Sequence, residues 1–137
     1  MSLKHTQYEQ LPNKSQFHEN LRTVLCSERP FSNFACYQEV NVKDLFSEYE
    51  YHDHHYDWYI KELKLIIELH GDQHYRPTSF GKETYRDKII NFNLLKFRDS
   101  AKRGIALDHN YMYLEIPYKL KNKLSAKLLM ELIDESN

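Results

Sequence analysis

The run Leu63-Lys-Leu-Ile-Ile-Glu-Leu-His70 constrains the fold more than any other stretch of the chain. It is short, apolar and β-branched at its centre and is stopped by Gly71, which predicts a central strand rather than a helix. A second extended run, Asp57-Trp-Tyr-Ile60, precedes it across Lys61-Glu62. That spacing predicts a tight hairpin, although the favoured Asn-Gly type of turn is missing. Asp57 opens one strand and Glu68 lies near the end of the other, so antiparallel pairing brings the two carboxylates together.

The remaining elements follow from periodicity and stop signals. Asn13 or Ser15 caps a first helix running to about Glu28, with Phe17, Leu21, Val24 and Leu25 at helical spacing and Pro30 beyond. Phe34 to Val42 is rich in aromatic and β-branched residues and reads as a strand, whereas Asp44 to His55 is polar and reads as a loop or ragged hairpin edge. A long helix is expected from about Glu83 to Asp108, with Ile90, Leu94, Phe97, Ala101 and Ile105 on one face and Gly104 as a weak point. Tyr111 to Ile116 reads as a further strand before Pro117, and Ser125 to Ile133 as a short terminal helix. Neither a repeat nor a linker interrupts this order. The expectation is one mixed α/β domain over residues 1–137, a size that buries roughly two-thirds of the unfolded surface.

Charge is distributed more tellingly than its sum of -1 suggests. From Asp44 to Tyr75 there are eight acids, five histidines and two lysines; from Leu94 to Lys127 there are eight Lys or Arg and three acids. An acidic centre beside a basic helix and tail suits a phosphodiesterase, because acids hold cations and bases hold phosphates. Cys26 and Cys36 form neither a disulfide framework nor a CxxC zinc half-site. With no signal-like or membrane-spanning apolar segment, the expectation is a soluble cytoplasmic protein without a membrane partner.

Asp57 and Glu68 are candidate Mg²⁺ ligands, since that cation prefers oxygens on a rigid frame; two solvated strand-end charges are the competing reading. His70, Asp72 and His74 follow at once, and a histidine beside a metal can take a proton from water near neutral pH. Asp99 and Lys102, three apart on a helix, also fit a surface ion pair. His52, His54 and His55 lack the second half of a zinc site.

In sum, Asp57-Trp-Tyr-Ile, Ile66-Ile-Glu-Leu-His-Gly-Asp-Gln-His-Tyr75 and Arg98-Asp99-x-x-Lys102 resemble the PD-(D/E)XK nuclease superfamily. The similarity is to its EDxHD branch, which includes the very-short-patch repair endonuclease and phage homing endonuclease catalytic domains. It extends from Phe17 to Tyr118. The resemblance implies a three-layer, restriction-endonuclease-like α/β fold with a mixed sheet flanked by helices. It also implies a Mg²⁺-dependent DNA endonuclease, with Mn²⁺ as a substitute, acting as a monomer or homodimer in a prokaryotic or phage-infected cell. Asp57 and Glu68 match the metal positions, His74 the general base, Asp99 the aspartate that orients it, and Glu19 the N-terminal glutamate. His70 stands where the superfamily's usual lysine falls and is an alternative base; Gln73 and Lys102 are auxiliary candidates. A junction resolvase and a catalytically silent DNA-binding module are the alternative functions.

Overall fold

The computed structural model describes residues 3–71 and 84–136. Among these residues four α-helices and four strands occur in the order α1 (Gln16–Ser27), β1 (Cys36–Asn41), α2 (Val42–Leu45), β2 (His55–Ile60), β3 (Leu65–His70), α3 (Tyr85–Asp108), β4 (Met112–Pro117) and α4 (Ala126–Glu135). The sheet is mixed, in the order β1-β2-β3-β4: the first two pairings are antiparallel and β3 with β4 is parallel. A parallel neighbour requires a crossover, and α3 occupies it. The mixed α/β class expected from the sequence is therefore present.

Local chemistry sets the element ends. Ser15, Thr84 and Ser125 cap α1, α3 and α4, their hydroxyls accepting the amides of His18, Asp87 and Leu128 at 3.1 Å each. The β2–β3 connection is longer than the expected two residues. Lys61–Leu63 form a 3-10 turn and Lys64 takes a left-handed conformation (φ 46°), so β3 begins at Leu65. Val42, expected in a strand, instead opens the one-turn α2, capped by the Asn41 side chain on the Lys43 amide. The segment after it is not merely polar loop, because Phe46 and Tyr49 are buried.

Two apolar clusters occupy the two sheet faces. On one, Phe17, Leu21, Val24 and Leu25 of α1 and Leu129 and Ile133 of α4 cover Trp58, Ile60, Leu65, Ile67, Leu114 and Ile116. On the other, Ala106 of α3 joins Val40, Phe46, Tyr56, Tyr59 and Ile66. The expected apolar face of α3 needs correction. Ala101 and Ile105 pack on this second cluster, but Ile90, Leu94 and Phe97 are 46%, 58% and 56% exposed. The reason is length: 24 residues extend about 36 Å, whereas a six-residue strand spans about 20 Å, so the N-terminal half of α3 runs past its support.

Both β1 and β2 change face at one point. Trp58 and Ile60 belong to the α1 side, yet Tyr56, two residues earlier, belongs to the α3 side. In β1, Cys36 and Val40 divide the same way. Between these residues the register runs from Gln38↔Trp58 to Val40↔Tyr56 without pairing Glu39 to Asp57, and Glu39 is left-handed (φ 52°). A bend of this kind at a strand pair re-aims side chains. It falls at Asp57.

Candidate active site

Beside that bend, β2 and β3 part. Their ladder pairs Ile60↔Leu65, Tyr59↔Ile66 and Trp58↔Ile67 and then stops. Past it the carboxylates replace the backbone: the Asp57 amide donates to Glu68 Oε2 at 3.0 Å, and the Leu69 amide donates to Asp57 Oδ2 at 2.8 Å. The two acids thus satisfy donors that the splayed strands leave over. They are also held close in a site from which Glu68 scarcely reaches water, at 4% exposure.

Such a pair needs a cation, and α3 supplies one. The Lys102 ammonium ion-pairs with Glu68 Oε1 and donates to the His55 carbonyl at 2.8 Å. Its own backbone carbonyl accepts the Tyr56 hydroxyl at 2.7 Å, which ties this turn of α3 to β2. Tyr113 of β4 donates to Glu68 Oε1 at 3.4 Å. Burial pushes the Glu68 carboxyl well above the usual carboxylate range, the Asp57 charge pushes it further, and Lys102 opposes both. Burial likewise drives the Tyr113 phenol far up, with Glu68 and Glu115 adding to the shift. With both carboxyls ionised, as cation binding would require, two carboxylates face one ammonium and leave negative charge on hard oxygen donors. That donor set fits a divalent cation such as Mg²⁺, although no group of three or more His, Cys, Asp or Glu suited to a metal exists among the described residues.

A second cluster adjoins the first. The parallel register sets Glu68 opposite Glu115 and His70 opposite Pro117. His70 Nε2 lies 2.8 Å from Glu115 Oε2. These two residues line a cleft of about 310 Å³ together with Lys96, Asp99, Ser100 and Arg103 of α3. The hydrogen bond from His70 holds Glu115 below the usual carboxylate range against burial, and Arg103 assists.

Of the residues singled out from the sequence, Asp57, Glu68 and Lys102 meet at one centre, and His70 and Asp99 line the cleft. Against the competing reading of a surface pair with Asp99, the Lys102 ammonium is turned inward onto Glu68. Glu19 belongs to α1, whose apolar face covers the other side of the sheet, and its carboxylate pairs with Arg22 at 2.6 Å. Glu28, just past the end of α1, caps α4 by accepting the Ala126 amide at 2.9 Å. His74, Gln73 and Asp72 lie outside the described residues. His54 is occupied by the Tyr49 hydroxyl at 2.6 Å and stacks on Tyr51.

Tyr113 and Glu115 escaped the sequence reading. The signal was present: in Met112–Pro117 the apolar Leu114 and Ile116 alternate with Tyr113 and Glu115, which marks a polar line on one strand face.

No protein-family model matches the chain, and neither does any solved structure. The chain is similar to an uncharacterized protein of Haemophilus influenzae, 38% identical over 65 residues, covering 43% of this chain and 54% of that protein. It is also similar to uncharacterized protein 307L of Invertebrate iridescent virus 6, 33% identical over 69 residues, covering 48% of this chain and 32% of the viral protein. The chain thus spans about half the length of the first relative and about a third of the second. Among the described residues no helix is long and apolar enough to cross a membrane.

Proposed function

We propose that this chain is a metal-dependent DNA endonuclease with a restriction-endonuclease-like fold of the PD-(D/E)XK type. The observation that carries the reading is the convergence of Asp57, Glu68 and Lys102 where β2 and β3 part. Solvated strand-end acids would not explain a glutamate that is buried, paired with an ammonium and set beside a second carboxylate.

Asp57 and Glu68 would hold Mg²⁺, which supplies charge stabilisation for an opening phosphodiester and an activated water. Lys102, beside Glu68, would neutralise charge developing on a phosphate oxygen. His70 and Asp99 line the adjoining cleft, and Lys96 and Arg103 give its α3 wall positive charge for a nucleic-acid backbone. His74 remains the base implied by the resemblance, with His70 as its rival.

A catalytically silent DNA-binding module is the second reading. It is favoured by the occupation of both acids with backbone amides, an arrangement that also serves the fold alone. A cleavage screen with Mg²⁺ or Mn²⁺ over duplex, nicked, mismatched and branched DNA and over RNA separates the two. Cleavage abolished in folded Asp57→Ala supports the enzyme; tight DNA binding with no turnover by the wild type supports the silent module.

A further inference from the structure

His70 and Glu115 stand on adjacent parallel strands, diagonal neighbours on the α3 side of the sheet. The imidazole is one-tenth exposed and Glu115 is 38% exposed, so their pair bridges the buried acids and the open cleft. We propose that Glu115 is a positioning residue that holds the His70 imidazole in one orientation, with Nε2–H donated to its carboxylate. A carboxylate is acceptor-only, so the ring nitrogen facing it carries the proton, and Nδ1 is the atom of the neutral ring that accepts. Rotation about the histidine side-chain bonds is thereby restricted at the edge of the cleft, where an attacking water would have to be oriented.

The inference rests on the nuclease reading for its catalytic consequence, but the pairing itself has a separate observable. Arg103 and Asp99 act on Glu115 from α3 with opposite sign, whereas His70 contacts it directly, Nε2 to Oε2 at 2.8 Å. The competing account is a rim ion pair that contributes nothing measurable.

The test compares wild type, Glu115→Ala, Glu115→Gln, His70→Ala and the double variant His70→Ala/Glu115→Ala. Nitrogen-proton NMR of the wild-type protein should reveal a slowly exchanging His70 Nε2–H. Glu115→Ala should lose that signal, and Glu115→Gln, which keeps an acceptor, should retain it. In metal-dependent cleavage, Glu115→Ala should lower kcat by roughly 10- to 100-fold with KM within about twofold, and Glu115→Gln should recover most of the loss. On a His70→Ala background Glu115→Ala should change nothing further. An unaltered Nε2–H signal or kcat in Glu115→Ala, or additive effects in the double variant, overturns the proposal. If the wild type cleaves no nucleic acid the nuclease reading falls, and the NMR signal alone decides: its loss in Glu115→Ala supports the positioning role and its persistence removes it. Should Glu115→Ala fail to fold, Glu115→Leu, which keeps bulk without an acceptor, takes its place.

Discussion

Asp57 donates its amide to Glu68 Oε2 at 3.0 Å, and the Asp57 carboxylate in turn accepts the amide of the residue after Glu68 at 2.8 Å. The two acids therefore do structural work at the parting of β2 and β3 as well as concentrating negative charge there. Structure and chemistry at this point can be separated by variants that keep hydrogen-bond acceptors and remove charge.

Asp57→Asn retains an acceptor for the Leu69 amide, whereas Asp57→Ala leaves that amide without its partner. A partly buried donor left unsatisfied costs about 1–3 kcal/mol. Urea unfolding should find Asp57→Ala less stable than Asp57→Asn by about that margin. Equal stability would mean that the Leu69 bond contributes nothing.

Lys102→Met removes the ammonium that favours the ionised form of Glu68, so the buried carboxyl must either stay charged beside Asp57 without a partner or take up a proton. Breaking one side of a buried ion pair costs about 3–5 kcal/mol, so this variant should be among the least stable at neutral pH. Adding Glu68→Leu should regain most of the loss, because the uncompensated charge disappears with it. A single-variant loss under about 1 kcal/mol would contradict the inward pairing of Lys102.

Glu19 offers a pH test. The Arg22 hydrogen bond holds its carboxyl below the ordinary value, and burial opposes this without reversing it. The folded pKa is lower than the unfolded one, so the pair's contribution is present above about pH 4.3 and is lost as pH falls through the folded value. Glu19→Gln should cost under about 1 kcal/mol at neutral pH, with the difference from wild type vanishing in acid. Cleavage should persist within a few-fold; its abolition in a folded variant would place Glu19 in the chemistry despite its position on α1.

The N-terminal half of α3 should tolerate change. Leu94→Ser at an exposed position should alter stability by no more than about 0.5 kcal/mol. Ile67→Ala in the buried central strand should cost about 2–5 kcal/mol. Thermal or urea unfolding of the two variants checks the contrast, and comparable losses would mean that α3 is covered along its length.

Much of this was legible in the chain because local rules dominate there. The apolar run before Glu68 suggests a central strand, and Leu65–His70 is one; of Asn13 and Ser15, the two candidate caps, Ser15 caps α1, and Ser125 caps α4. The meeting of Asp57 with Glu68 followed from pairing two adjacent runs. Long-range facts were harder to read. Nothing local tells that Lys102 turns inward, since a lysine three residues from an aspartate suits a solvent-facing pair equally well; its orientation is set by Tyr56 and Glu68, more than thirty residues away. The alternation in Met112–Pro117 put Glu115 on a polar line, but its partners were hidden for a similar reason, as they come from a parallel register fixed by the α3 crossover. The apolar positions at Ile90, Leu94 and Phe97 misled because periodicity reports a face without reporting whether anything covers it.

The central claim is tested most directly by the rate of Mg²⁺-dependent DNA cleavage in wild type and in Glu68→Gln, each first verified as folded. Glutamine keeps an acceptor for the Asp57 amide but removes the charge that would hold a cation. The account predicts metal-dependent cleavage by the wild type and a fall of at least about 10³-fold in Glu68→Gln, the scale of losing a principal charge-stabilising group. Wild type that cleaves no DNA with Mg²⁺ or Mn²⁺, or a Glu68→Gln variant that cleaves as fast as wild type, would contradict it.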